Sequence, residues 1–134
     1  MKQVAAAIAY RGDQVLVTRR GPGQDLEGYW EFPGGKLEEG ESVARCLERE
    51  LQEELGVRSI GGQVIAEAVH EYPGGAINLI AIEVQLLDND LSLSVHDAAE
   101  FVSPTDLLSL QLAPADIPLA EEIVRRRQSL TRKT

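Results

Sequence analysis

One helix constrains this chain more than any other segment, because its two flanks make opposite demands. Ser42 suits an N-cap, Gly56 is placed to end the helix, and Ala44, Leu47, Leu51 and Leu55 recur between them at helical spacing. At about 100° per residue, Leu47, Leu51 and Leu55 share one stripe, while Glu50, Glu53 and Glu54 fall together on an adjoining arc. Like charges three and four residues apart repel by roughly a few tenths of a kcal/mol per pair. Either that flank is an acidic face left to solvent, or it holds a cation. Three carboxylates with no histidine or further cysteine nearby suit magnesium or manganese, since hard cations take oxygen ligands and zinc prefers nitrogen and sulfur. Arg49 stands beside Glu50 and can orient a carboxylate by a bidentate bond.

The segments around the helix read as a mixed αβ arrangement. Residues 2 to 10 and 14 to 19 are apolar strands joined by Arg11-Gly12-Asp13, a hairpin that opens the fold. A Gly- and Pro-punctuated loop, Gly21 to Gly28, leads to a short strand at Tyr29-Trp30-Glu31-Phe32 and a turn at Pro33-Gly34-Gly35. Ile60 to Tyr72 and Ala76 to Leu87 are long strands that pair across Pro73-Gly74-Gly75. Glu100 to Val102 is a short strand, Pro104 starts one helix, and Pro118 starts another that runs to about Arg127 before the last residues fray. The repetition of Glu31-Phe32-Pro33-Gly34-Gly35 as Glu71-Tyr72-Pro73-Gly74-Gly75 is coincidental turn chemistry, since only the first copy leads into a helix.

The decisive pattern begins at Gly35. After five residues comes Glu41, after seven more Arg49-Glu50, then aliphatic Leu51, one residue, Glu53-Glu54, one residue, Gly56 and aliphatic Val57. This resembles the Nudix box at every defined position, and accidental agreement in a chain this long has a probability on the order of 10⁻⁷. The likeness extends outward to Thr18-Arg19-Arg20, to Trp30-Glu31-Phe32-Pro33-Gly34-Gly35 and to Leu112-Ala113-Pro114-Ala115-Asp116-Ile117-Pro118, as in the small MutT-type members and the CTP pyrophosphohydrolase-like branch. The resemblance implies an α/β Nudix fold, an α/β/α sandwich around a central mixed sheet with the box as loop, helix and loop. It implies one Nudix domain over residues 1–134, with the box at 35–57.

It implies a function as well. Glu50, Glu53, Glu54 and the Gly34 carbonyl are expected to hold Mg²⁺, with Mn²⁺ as a substitute, Arg49 to steady Glu50, and Glu53 to serve as general base. The expected reaction is attack on the β-phosphorus of a nucleoside triphosphate, giving a monophosphate and pyrophosphate. Glu41 and Gly35 are expected to be architectural, and Gly34 and Gly35 to supply backbone conformations closed to other residues. Arg20 is expected near the phosphates, Phe32 and Tyr72 beside the base, and Asp116 at its edge. MutT members that select oxidised guanine carry Asn where Asp116 stands; an ionised carboxylate only accepts hydrogen bonds and so favours an exposed amine such as that of cytosine. The ordinary alternatives are core positions for Phe32 and Tyr72 and a helix N-cap for Asp116.

One departure stands out. Many MutT-like sequences carry a further metal-binding glutamate where this chain has Val95, and Asp97, Glu100 or His96 would have to replace it. Asp97 is the candidate retained; His70 and His96 read as incidental, and Cys46 as a buried structural thiol. The absent glutamate also motivates a rival reading, a catalytically weakened nucleotide sensor, and the box itself leaves a nucleotide-sugar or ADP-ribose hydrolase open.

Composition narrows the partners. The net charge of −9 repels polyphosphates and nucleic acid unless cations or a local basic patch intervene, so a phosphorylated substrate needs a metal; the resemblance implies a small nucleotide as that substrate and no nucleic acid polymer. The basic run Arg125-Arg126-Arg127 with Arg132-Lys133 reads as a solvated helix end. No apolar run approaches the roughly 20 residues that span a bilayer, and a single cysteine excludes an internal disulfide. The expectation is a cytoplasmic protein away from membranes, monomeric or homodimeric.

Overall fold

Alternation along the first strand sets up two cores. The structure, a computed structural model, describes residues 1–133, with side chains through residue 128. In β1 (Lys2–Arg11), Ala5, Ala7 and Ala9 join one buried cluster while Ala6 and Ile8 join another, so both faces of the strand are covered. The following strand β2 (Gln14–Arg20) splits the same way, Leu16 to the first cluster and Val15 and Val17 to the second.

The first cluster is closed by α1 (Val43–Leu55), whose Cys46, Leu47, Leu51 and Leu55 are buried on it. The second is closed by Leu107 of α2 (Pro104–Leu107) and by Leu119, Ala120 and Ile123 of α3 (Ile117–Lys133). Helices on both faces of a sheet give the expected α/β/α sandwich. Caps at α1 fall where the sequence puts them: the Ser42 side chain accepts from the Arg45 N–H at 3.1 Å, and Gly56 ends the helix at φ 65°.

The sheet runs β3 (Trp30–Glu31), β2, β1, β6 (Gly75–Leu86), β5 (Ser59–Tyr72), with β4 (Gly34–Lys36) added to β1 and β7 (His96–Val102) added to β2. It is mixed, since β1 and β6 are parallel from Lys2↔Ile77 to Ala9↔Val84 while the other pairings are antiparallel. The opening hairpin is real but short. Only Tyr10↔Val15 and Arg11↔Gln14 are paired, after which β1 turns to β6 and β2 to β7.

Three expectations need correction. Gly34-Gly35 is a strand, not a turn, and neither glycine has a positive φ. Gly34 is needed for close approach: a Cβ there would lie 2.0 Å from the Ala5 carbonyl oxygen of the neighbouring strand. The strand expected at 100–102 begins at His96, because it pairs along β2 from Val15 to Arg20. The last helix continues to Lys133 instead of ending near Arg127, and a 3₁₀ turn at Pro114–Asp116 precedes it. On that helix Arg125 and Arg126 hold Glu122 and Arg127 holds Asp13, as a solvated face would; the side chains of Arg132 and Lys133 lie outside the described residues.

Candidate active site

The site lies where the α1 flank meets the ends of β2, β3 and β7. Leu16, Thr18 and Arg20 alternate onto the α1 face of β2, and the ladder places Glu31 opposite Thr18 on that same face. In β7, Ala99 pairs with Thr18 and Ala98 with Arg19, so regular continuation would set Asp97 opposite Arg20. The register breaks there, and His96 takes the place opposite Arg20. Asp97 is the extra residue of a β-bulge, a feature that re-aims side chains. Its carboxylate goes to Arg19 at 2.7 Å instead of to the α1 carboxylates.

The result is a chain of polar contacts. Arg20 Nη1 donates to Glu31 Oε1 at 2.9 Å, and the His96 Nε2 stands 3.1 Å from Glu31 Oε2 and 3.8 Å from Glu54 Oε2. Arg20 also reaches the Asp25 carbonyl. His96, which the sequence marked only as incidental, is buried, 8% exposed, within this chain of contacts.

Arg49 organises the other side. Its bidentate partner is Glu41, at 2.8 and 2.9 Å, and a single bond of 2.9 Å reaches Glu50 while Glu53 stands at 3.5 Å. Arg49 holds the Glu41 carboxyl far down, to about 2, which fits Glu41 as the tie between loop and helix. Glu50 is also fixed from below, since a Cβ on Gly35 would lie 2.5 Å from its carboxyl carbon. Glu53 is exposed. The Glu54 carboxyl is pushed up to about 9, first by burial, then by Glu50, and further by the charges of Glu31 and Glu53. Such a cluster wants a proton or a cation.

The donors fit a hard divalent ion: the carboxylates of Glu50, Glu53 and Glu54 with Glu31 near them. Among the described residues no three His, Cys, Asp or Glu side chains already surround one point.

The residues expected at the base are differently placed. Phe32 is buried in the core on the α3 side. Tyr72 ends β5, exposed and stacked on His70 with ring centroids 6.5 Å apart. Asp116 is 6% exposed, and its Oδ2 accepts from the Phe32 N–H at 2.9 Å. Burial pushes its carboxyl up to about 7, with the Phe32 amide opposing and Glu31 adding to the rise. Cys46 is buried with its thiol pushed up to about 12 by desolvation, as a structural thiol should be. The signal for Glu31 lay in its place two residues before the Pro-Gly-Gly; nothing local marked His96.

Comparison with known proteins agrees with this geometry. A NUDIX domain model matches residues 1–123. A CTP pyrophosphohydrolase of Escherichia coli (strain K12) is 40% identical over 127 residues, which covers 95% of this chain and 94% of that protein. An 8-oxo-dGTP diphosphatase of Proteus vulgaris is 34% identical over 88 residues, 66% of this chain and 79% of that protein. The solution structure of the E. coli ORF135 protein aligns with a TM-score of 0.84 at 39% identity over 96% of this chain and 92% of that one. The crystal structure of a MutT protein from Methanosarcina mazei Go1 gives the same TM-score at 23% identity over 94% of each chain, a likeness of fold. No helix among the described residues is long and apolar enough to cross a membrane. The chain belongs to the NUDIX domain family, whose hydrolases generally use divalent metal ions, and is a MutT-like hydrolase of phosphoanhydride bonds.

Proposed function

We propose that this protein is a nucleoside triphosphate pyrophosphohydrolase, converting an NTP or dNTP and water to the monophosphate and pyrophosphate, with Mg²⁺ as its ordinary ion and Mn²⁺ as a substitute. The observation that carries the reading is the gathering of Glu50, Glu53 and Glu54 on one flank of α1 with Glu31 held near them through His96, where partial burial first and the neighbouring carboxylates second push the Glu54 carboxyl far above its usual range. Glu50, Glu53, Glu54 and the Gly34 carbonyl are the proposed ligands. When bound, divalent cations lower the pKa of a water and neutralise charge on the attacked phosphoryl group. Glu53, exposed at the mouth of the cluster, takes the proton from the attacking water, and Arg49 fixes Glu50 against the Gly35 backbone.

Asp116 is the proposed discriminator of the base, with Arg20 at the phosphates and exposed Tyr72 beside the base, while buried Phe32 serves through its backbone amide, which holds Asp116. The Phe32 amide occupies Asp116 Oδ2, which leaves the other oxygen for a ligand. Ionised, that oxygen accepts from an exocyclic amine, and the 40% identity to a CTP pyrophosphohydrolase supports a cytosine nucleotide first. Protonated, the carboxyl also donates, as an amide does, which admits a base presenting a carbonyl, including an oxidised guanine.

The test is turnover of CTP, dCTP and 8-oxo-dGTP in H₂¹⁸O with Mg²⁺. Label is expected in pyrophosphate, from attack at the β-phosphorus, and turnover is expected to vanish in Glu53→Gln. Label in the monophosphate would refute the site of attack; full activity of Glu53→Gln would refute the base.

A further inference from the structure

His96 has no role in the reading above, yet its surroundings are hard to explain as packing. It is among the few polar residues buried in the described structure, and its Nδ1 has no hydrogen-bond partner at all. A buried ring with one unmatched nitrogen is a poor core residue, because an unpaired polar atom costs free energy that an apolar side chain would not. The tautomer follows from the contacts. A proton on Nδ1 would be buried with no acceptor, whereas a proton on Nε2 faces Glu31 Oε2 at 3.1 Å. His96 therefore donates from Nε2, and Glu31 is gripped on both oxygens, Oε1 by Arg20 and Oε2 by His96.

That grip decides where Glu31 points. His96 Nε2 is also 3.8 Å from Glu54 Oε2, so the imidazole spans the gap between a strand carboxylate and a helix carboxylate. A carboxylate on a two-residue strand has no reason to stay beside three others of like charge unless it is held. His96 is unsuited to bind an ion itself: Nε2 is engaged by Glu31, and Nδ1 is sealed from solvent with no second donor atom in reach.

We propose that His96 is a positioning residue, reached by the bulge at Asp97, that fixes the Glu31 carboxylate beside Glu54, so that Glu31 supplies the outer carboxylate that Val95 cannot. The proposal rests on the reading of this cluster as a divalent-cation site. It predicts that the imidazole acts on ion binding only through Glu31, a dependence that a packing role would lack.

The experiment is Mn²⁺ binding to the nucleotide-free protein, read by loss of the free-ion EPR signal, for wild type, His96→Ala, His96→Gln, Glu31→Gln and the His96→Ala/Glu31→Gln double variant, each checked for folding by circular dichroism. His96→Ala is expected to weaken Mn²⁺ binding about 10-fold, the scale of lost outer-sphere support. His96→Gln, whose amide keeps a donor, is expected to recover most of that. In the Glu31→Gln background, His96→Ala is expected to change affinity less than 2-fold. Unchanged affinity in His96→Ala, or an undiminished effect in the Glu31→Gln background, would overturn the proposal while leaving the cation site intact. If His96→Ala does not fold, His96→Gln and Glu31→Gln decide: wild-type affinity in Glu31→Gln overturns the proposal. A wild type that fails to bind Mn²⁺ would overturn the cation-site reading and the proposal with it.

Discussion

Replacing Asp116 with Asn isolates the cost of burying one carboxylate. Asp116 is 6% exposed, and its carboxyl is raised from 3.8 to about 7. A group whose folded pKa is raised contributes stability that is fully present below the unfolded value and lost as pH rises through the folded one. Each unit is worth about 1.36 kcal/mol, so the native protein should lose on the order of 4 kcal/mol from this group between about pH 4 and pH 8, of which about 3 falls between pH 5 and pH 8. Asn cannot ionise, yet its side-chain oxygen can still accept from the Phe32 N–H, so Asp116→Asn removes the loss without removing the bond. At roughly 3 °C or more per kcal/mol for a chain of this size, the melting temperature of the variant should exceed that of wild type by about 10 °C at pH 8. That advantage should narrow steadily toward pH 5. Thermal unfolding by circular dichroism at half-unit steps, with metal chelated, gives the comparison. A difference between variant and wild type that stays constant from pH 5 to pH 8 would refute the reasoning, whatever its size.

The same proton should govern substrate choice: the ratio of kcat/KM for CTP over 8-oxo-dGTP should rise as pH increases through about 7, and Asp116→Asn should flatten it. Gly35→Ala should lower Mn²⁺ affinity about 10-fold while shifting the melting temperature little, because its Cβ meets the movable end of Glu50. Gly34→Ala should cost several kcal/mol, about 3 or more, in urea unfolding, because its Cβ meets the backbone of Ala5. Metal-free protein should lose stability as pH rises toward 9, since the raised Glu54 carboxyl contributes stability below 4.5 that disappears through its folded value; added Mg²⁺ should therefore raise the melting temperature more at pH 8 than at pH 6.

What could be read from the sequence was what repeats locally. The stripe Leu47, Leu51 and Leu55, the Ser42 cap and the Gly56 stop are properties of consecutive residues, and α1 matches them residue for residue. Glu50, Glu53 and Glu54 came with that helix, while Glu41 was legible only as architectural, and its bidentate partner Arg49 is seen in the fold alone. What was hidden depends on partners distant along the chain. Gly34 is required by the carbonyl of Ala5, not by its own torsions. Asp97 was the plausible carboxylate and His96 the bland neighbour, but a one-residue bulge against β2 exchanges their directions, and no periodicity within 96–102 announces it. Phe32 looks like a stacking aromatic in isolation, and only the α3 side of the sheet shows it as core.

The alanines of β1 carry a last implication. Ala5, Ala7 and Ala9 place nothing larger than a methyl group between the strand and the leucines of α1. They act as a shim that sets the height of the carboxylate helix above the β-strand bearing Gly34 and above Glu31. Variation confined to residues that touch a nucleotide would reshape the walls of this enzyme but not that height. One extra methylene at Ala7 would lift the helix and move every carboxylate on it together, so residues with no chemistry of their own set the tolerance within which the chemistry works.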